Sequence, residues 1–167
     1  MTATGSEART ILGVDPGSIA TGWAVLCGRS SAPQLIAAGV LRAPAKQPFA
    51  DRLAGLQLAF GKIVAEFSPT LSAVEAPFHG VSARSALQLA HARGVILAEL
   101  SRAGVPIAEY SPAEVKKMVT GSGRADKEQV AFMVARLVGT ESKSHDLTDA
   151  VAVALCHQTI SETAVTR

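Results

Sequence analysis

Thr10-Ile11-Leu12-Gly13-Val14-Asp15-Pro16-Gly17-Ser18-Ile19-Ala20-Thr21-Gly22-Trp23 is the stretch on which the reading of this chain turns. An apolar run climbs to a single carboxylate, breaks at Pro16-Gly17 and resumes as a second apolar run over 23–27, the pattern of two strands joined by a tight turn. Asp15 therefore falls where a buried strand surfaces. A charge placed there has a large desolvation cost unless it is paired or binds a cation, so a turn-capping aspartate competes with a metal ligand. Acids at the ends of neighbouring elements decide between the two.

Working outward, a loop is expected over 28–33 and a third strand over 34–41, which makes the start of the chain an antiparallel meander. From Phe49, apolar residues at Leu53, Leu56, Phe60, Ile63 and Phe67 mark one face of a long helix, with Arg52 expected off that face and Pro69 ending it. Residues 70–75 read as a short strand that again ends in an acid, Glu75, and then meets Pro77. Two strands of this form bring Asp15 and Glu75 to the same sheet edge. A helix over 82–102 carries Leu87, Ala90, Gly94, Leu97 and Ala98 as a stripe, and Gly94 suggests close approach of another helix. A strand over 105–110 and helices from 112, from 126 to 138 and from 144 to about 160 complete the order. Three meander strands followed by crossover units predict an α/β fold with a mixed five-stranded sheet flanked by helices.

The chain has 167 residues, enough for one domain with a single substantial core. That domain is expected over 10–160, between a disordered tail at 1–9 and a C-terminal tail at 161–167. Apolar residues make up 48% and aromatics 4%, which favours an α/β protein over an aromatic-rich sandwich or a disordered chain. The net charge of +2 does not by itself announce nucleic acid. Cys27 and Cys156 have no metal-binding spacing and fit a reducing compartment. With no bilayer-length apolar window, a cytoplasmic protein without membrane contact is expected.

Asp146 and Asp149, three apart at a helix start, share one face. Either alone is an ordinary acid favoured by the helix dipole, whereas two repel unless a cation lies between them. Together with Asp15 and Glu75 they make an all-oxygen set, which selects Mg²⁺ or Mn²⁺ over zinc. Two such ions suit hydrolysis of a phosphodiester, and they would raise the charge that attracts one. Lys116, Lys117, Arg124 and Lys127 gather around the break at Gly121-Ser122-Gly123, where a phosphate backbone could be gripped. Gly17 and Ser18, being small, would leave room for that phosphate.

These residues resemble the RuvC family of Holliday junction resolvases. The resemblance rests on Ile11 to Ser18 with Thr21-Gly22, Val74-Glu75 with Phe78, Ala92-Arg93-Gly94-Val95, Val115-Lys116, Lys127 and Asp146-x-x-Asp149-Ala150, in that order. It implies a ribonuclease H-like fold and a homodimer that nicks two opposing strands of a four-way DNA junction at symmetric positions, using two Mg²⁺ or Mn²⁺ ions per site. It assigns Asp15, Glu75, Asp146 and Asp149 to the metals, Lys116 and Lys127 to the scissile phosphate, and Phe78 to stacking on junction bases. It also implies dimer contact through the second long helix and the branch-migration partners RuvA and RuvB. His79 and Gly80 depart from the pattern, Arg84 adds a charge that could touch DNA, and His145 is a minor metal candidate. A nuclease for RNA or RNA–DNA hybrids, an actin-type ATPase and a non-catalytic junction binder are the alternatives.

Overall fold

The computed structural model describes residues 9–77, 82–139, 142 and 144–165. Strands β1 (Ile11–Asp15), β2 (Ala20–Arg29) and β3 (Ala32–Arg42) form the antiparallel meander; β4 (Leu71–Glu75) and β5 (Ile107–Tyr110) add to the other edge. The sheet order is β3-β2-β1-β4-β5, with β1–β4 and β4–β5 parallel. The expected mixed five-stranded sheet is present, with β1 at its centre. The expected loop over 28–33 is shorter than read: Gly28 pairs with Pro33 and Arg29 with Ala32. Proline is tolerated there because β3 is an edge strand.

Helices α1 (Phe49–Phe67) and α2 (Ala83–Arg102) cover one face of the sheet. Leu56, Phe60, Ile96 and Leu100 pack there on Leu12, Val14, Val25 and Val74. Helices α3 (Pro112–Thr120), α4 (Lys127–Val138) and α5 (His145–Val165) cover the other. Val115, Val130 and the run Ala150 to Cys156 pack there with Ile11, Ala24 and Ala73. Side chains alternate across a strand, so Ile11, Gly13 and Asp15 of β1 and Ala73 and Glu75 of β4 all point to the α5 side. Both acids thus reach the same face at the same end of parallel neighbours.

α5 lies directly on the central strands because two glycines leave it room. A Cβ on Gly13 would stand 2.4 Å from the Ala150 carbonyl oxygen, and one on Gly22 would stand 1.9 Å from that of Asp146. The helix continues past the expected end near 160 to Val165. Part of the reason is Glu162, whose carboxylate accepts hydrogen bonds from the Ser30 amide (2.8 Å) and hydroxyl (2.5 Å).

One expectation about side-chain direction is corrected. Arg52 is 7% exposed rather than off the buried face, since it lies one turn before Leu56 and its guanidinium donates to the Ser18 carbonyl. Among the described residues, none lies within 4 Å of a Cβ placed at Gly94, and Ala90 and Ala98 beside it are exposed, so the close approach expected of another helix is not made by any described helix. The buried side of α2 is instead Ala92, Ile96, Glu99 and Leu100.

Candidate active site

Asp15 ends β1 opposite Gly22 of β2, one step beyond the Val14–Val74 pair that joins β1 to β4, so Glu75 is its neighbour at the sheet edge. The turn after Asp15 is held by Thr21, whose hydroxyl donates to the Gly17 carbonyl (3.0 Å) and accepts from the Gly17 amide (3.3 Å). Asp15 is therefore not spent on capping. Gly17 serves the turn as well: a Cβ there would meet the Ala20 carbonyl oxygen at 1.9 Å. With Ser18 it borders a cavity beside Arg52 and not the acidic cleft, so their smallness serves the turn and that cavity.

The first turn of α5 brings the remaining acids. Ser144 caps it, its carbonyl accepting from the Thr148 amide (3.1 Å) and hydroxyl (3.0 Å) and its hydroxyl accepting from the Leu147 amide (3.4 Å). Among the described residues, Asp146 and Asp149 take no part in that cap. Across from them, α3 is started by a capping box between Ser111 and Glu114 with Pro112 at its first position, and α4 by one between Asp126 and Gln129. These caps set the start points of the helices that carry Lys116 and Lys127.

Asp15, Glu75, Asp149, Lys116 and Lys127 line one cleft of about 440 Å³, floored by Val115, Val130 and Ala152. Lys127 Nζ stands 3.9 Å from an Asp149 carboxylate oxygen. The Asp15 carboxyl is pushed up to about 8, first by burial and then by the charges of Glu75 and Asp149. Glu75 is also raised, chiefly by burial and by Asp149, while its contact with Asp15 and the ammonium groups of Lys116 and Lys127 oppose the rise. Burial raises Asp149 against the pull of Lys127 and His145. Asp15 and Glu75 thus behave as a close carboxyl pair sharing a proton.

Asp146 does not line this cleft, but its charge acts on both Asp15 and Asp149. His145 is exposed at the head of α5. Arg84 in the first turn of α2, Lys117 on α3 and Arg124 before α4 are exposed and stand outside the cleft lining. Phe78, His79 and Gly80 lie outside the described residues. Among the described residues, no three acidic, His or Cys side chains converge tightly enough to clasp an ion as they stand. The donors nevertheless fit a hard divalent cation: they are carboxylates from three elements, whose pKa values are raised first by burial and, at Asp15 and Glu75, also by neighbouring carboxylate charge that a cation would relieve.

Arg93, in the motif Ala92-Arg93-Gly94-Val95, also borders the acids. It lines a smaller cavity with Asp15, Pro16, Glu75 and Pro77 and pairs with Glu109 of β5. The signal that could have found it is a helical arginine with no acid three or four residues away, which demands a remote partner.

The family model described as crossover junction endodeoxyribonuclease RuvC matches residues 11–157. The chain belongs to this family. It is 42% identical over 149 residues to the RuvC endodeoxyribonuclease of Oleidesulfovibrio alaskensis, covering 89% of each chain. Among solved structures, Thermus thermophilus RuvC in complex with a Holliday junction substrate superposes with a TM-score of 0.88 at 28% identity, covering 93% of this chain and 96% of that one. The yeast mitochondrial Holliday junction resolvase has the same fold, with a TM-score of 0.70 at 13% identity, covering 95% of this chain and 82% of that one. RuvC relatives thus share both the sequence and the ribonuclease H-like sheet described above.

Proposed function

We propose that the chain is a structure-selective endonuclease that resolves Holliday junctions in DNA recombination and repair, nicking two opposing strands at symmetric positions by hydrolysis. The observation that carries this is one cleft lined by acids from β1, β4 and α5 and by lysines from α3 and α4, in a chain of the RuvC family. Asp15, Glu75, Asp146 and Asp149 would hold two Mg²⁺ or Mn²⁺ ions, with His145 a minor further ligand. Bound there, the ions supply Lewis-acid polarisation of the phosphate and a more acidic water.

The chain's own groups do the rest. The lysines face the acids across the cleft, so Lys116 and Lys127 offer ammonium groups to the non-bridging oxygens of a phosphodiester, where charge builds as water adds to phosphorus and a P–O bond breaks. The rigid strand ends hold Asp15 and Glu75 in place, and the floor of Val115, Val130 and Ala152 limits water beneath them. Arg84, Lys117 and Arg124 would meet the backbone further from the cut, and Phe78 would stack on junction bases.

The working unit in this proposal is a homodimer joined along α2. Support comes from its outward stripe of Ala90, Gly94 and Ala98 with Leu87 62% exposed, beside a groove completed by Leu53 and Gln57. RuvA and RuvB are the proposed partners and the cytoplasm the proposed compartment; among the described residues no helix is long and apolar enough to cross a membrane. The direct test is Asp149→Asn. It removes ligand charge and leaves the basic surface, so cleavage of a four-way junction is lost while binding in a gel-shift assay persists. Loss of both together would make the acid structural.

A further inference from the structure

Arg52 is a charged side chain with nowhere to discharge its charge. It is 7% exposed, forms no ion pair among the described residues, and has a buried Nε–H without an acceptor. Its other contacts are the Ser18 carbonyl and the face of Phe49, whose ring centre lies 5.5 Å from the guanidinium carbon. Neither carries a formal negative charge. Burying an unpaired cation is costly, so the fold keeps this arginine against a sizeable penalty.

The space beside it is suited to the missing anion. A cavity of about 250 Å³, against the ~10–15 Å³ that one water needs, lies between the β1–β2 turn, the end of β3 and the start of α1. Its charged lining is Arg52 and Arg42, its polar lining includes Ser18, Thr21 and Gln47, and among the described residues no Asp or Glu borders it. Asp51, next along α1, is exposed and not part of the lining. Pro48 makes no side-chain cap at the start of α1, and the acid in that first turn, Asp51, already faces the positive end of the helix dipole, so the site rests on the two arginines. Arg42 and Gln47 are exposed, which opens the cavity to solvent.

We propose that this cavity is a phosphate-binding site, distinct from the acidic cleft, in which the phosphate meets the charges of Arg52 and Arg42, both of which line it. The phosphate is either that of a DNA strand running over the Ser18 turn or a free phosphate ion. Because Arg52 also holds the Ser18 carbonyl, the bound anion steadies the turn that follows Asp15.

The test uses the full chain without divalent metal or DNA, so it does not depend on nuclease action. Inorganic phosphate is titrated at constant ionic strength against chloride while the Arg52 Nε–H resonance and the melting temperature are followed. A saturable movement of that resonance is expected, with a rise of several degrees in Tm at phosphate well above its Kd. The Tm rise should vanish in Arg52→Gln and persist in Asp149→Asn. A four-way junction is then added to the unmodified chain. If the phosphate is DNA's, the same resonance moves and the salt slope of junction binding falls by about 1 in Arg52→Gln. If it is a free ion, the junction leaves the resonance and the slope unchanged. An arginine that only braces the turn predicts no response to phosphate and none to the junction, and that result overturns the proposal even if Arg52→Gln does not fold.

Discussion

Asp15 shows how one residue can be legible in kind and not in detail. Its place at the end of a buried strand, and the matching place of Glu75, follow from local pattern alone, and so does the pairing of Asp146 with Asp149. What that pattern does not carry is how the four share the site: Asp15, Glu75 and Asp149 line the cleft, whereas Asp146 acts from beside it. The protonation of Asp15 yields a stability prediction. Its folded pKa of about 8 lies above the ordinary 3.8 of an aspartate, so between these the folded state holds a proton that the unfolded state has released. Its contribution is full below about pH 4 and is lost as pH rises toward 8. Chemical denaturation of the metal-free protein should therefore show stability falling across that window, and the fall should be smaller in Asp15→Asn. A metal-free stability that rises from pH 5 to 8, unchanged by the substitution, would contradict the buried carboxyl pair.

At the scale of elements, the site depends on how closely α5 lies on β1 and β2. Gly22→Ala sets a methyl group against the Asp146 carbonyl, so the helix start that bears both aspartates has to move. Destabilisation of about 1–3 kcal/mol is expected, the range for overpacked cores, together with loss of cleavage beyond what the lost stability explains. Thermal unfolding and single-turnover nicking at a temperature where the variant is folded measure the two effects separately. Strands and helices were legible because their periodicities are local. The helix contact at Gly22, the burial of Arg52 and the pairing of Arg93 with Glu109 were not, because each depends on a partner set by the tertiary fold. The stripe on α2 was legible as unusual, but the sequence could not say that its small residues face out of the chain.

For the whole molecule, that outward stripe and the cleft answer separate questions. Ala90→Glu on the exposed side of α2 should yield a folded monomer by light scattering, with the cleft intact and coordinated nicking of the two strands reduced in step with the lost dimer. A chain that is monomeric before the substitution and still cuts both strands together would remove α2 from that role. The family and the five-stranded sheet were recognisable because their motifs span nearly the whole chain, from Ile11 to His157. The central claim is junction resolution by the acidic cleft. It is tested most directly by mapping the cuts made on a synthetic mobile four-way junction with Mg²⁺ or Mn²⁺, beside an RNA–DNA hybrid duplex under the same conditions. Paired cuts at symmetric positions on two opposing strands of the junction are expected, dependent on added metal, with little cutting of the hybrid. Equal or better cutting of the hybrid, or an intact junction, would contradict it.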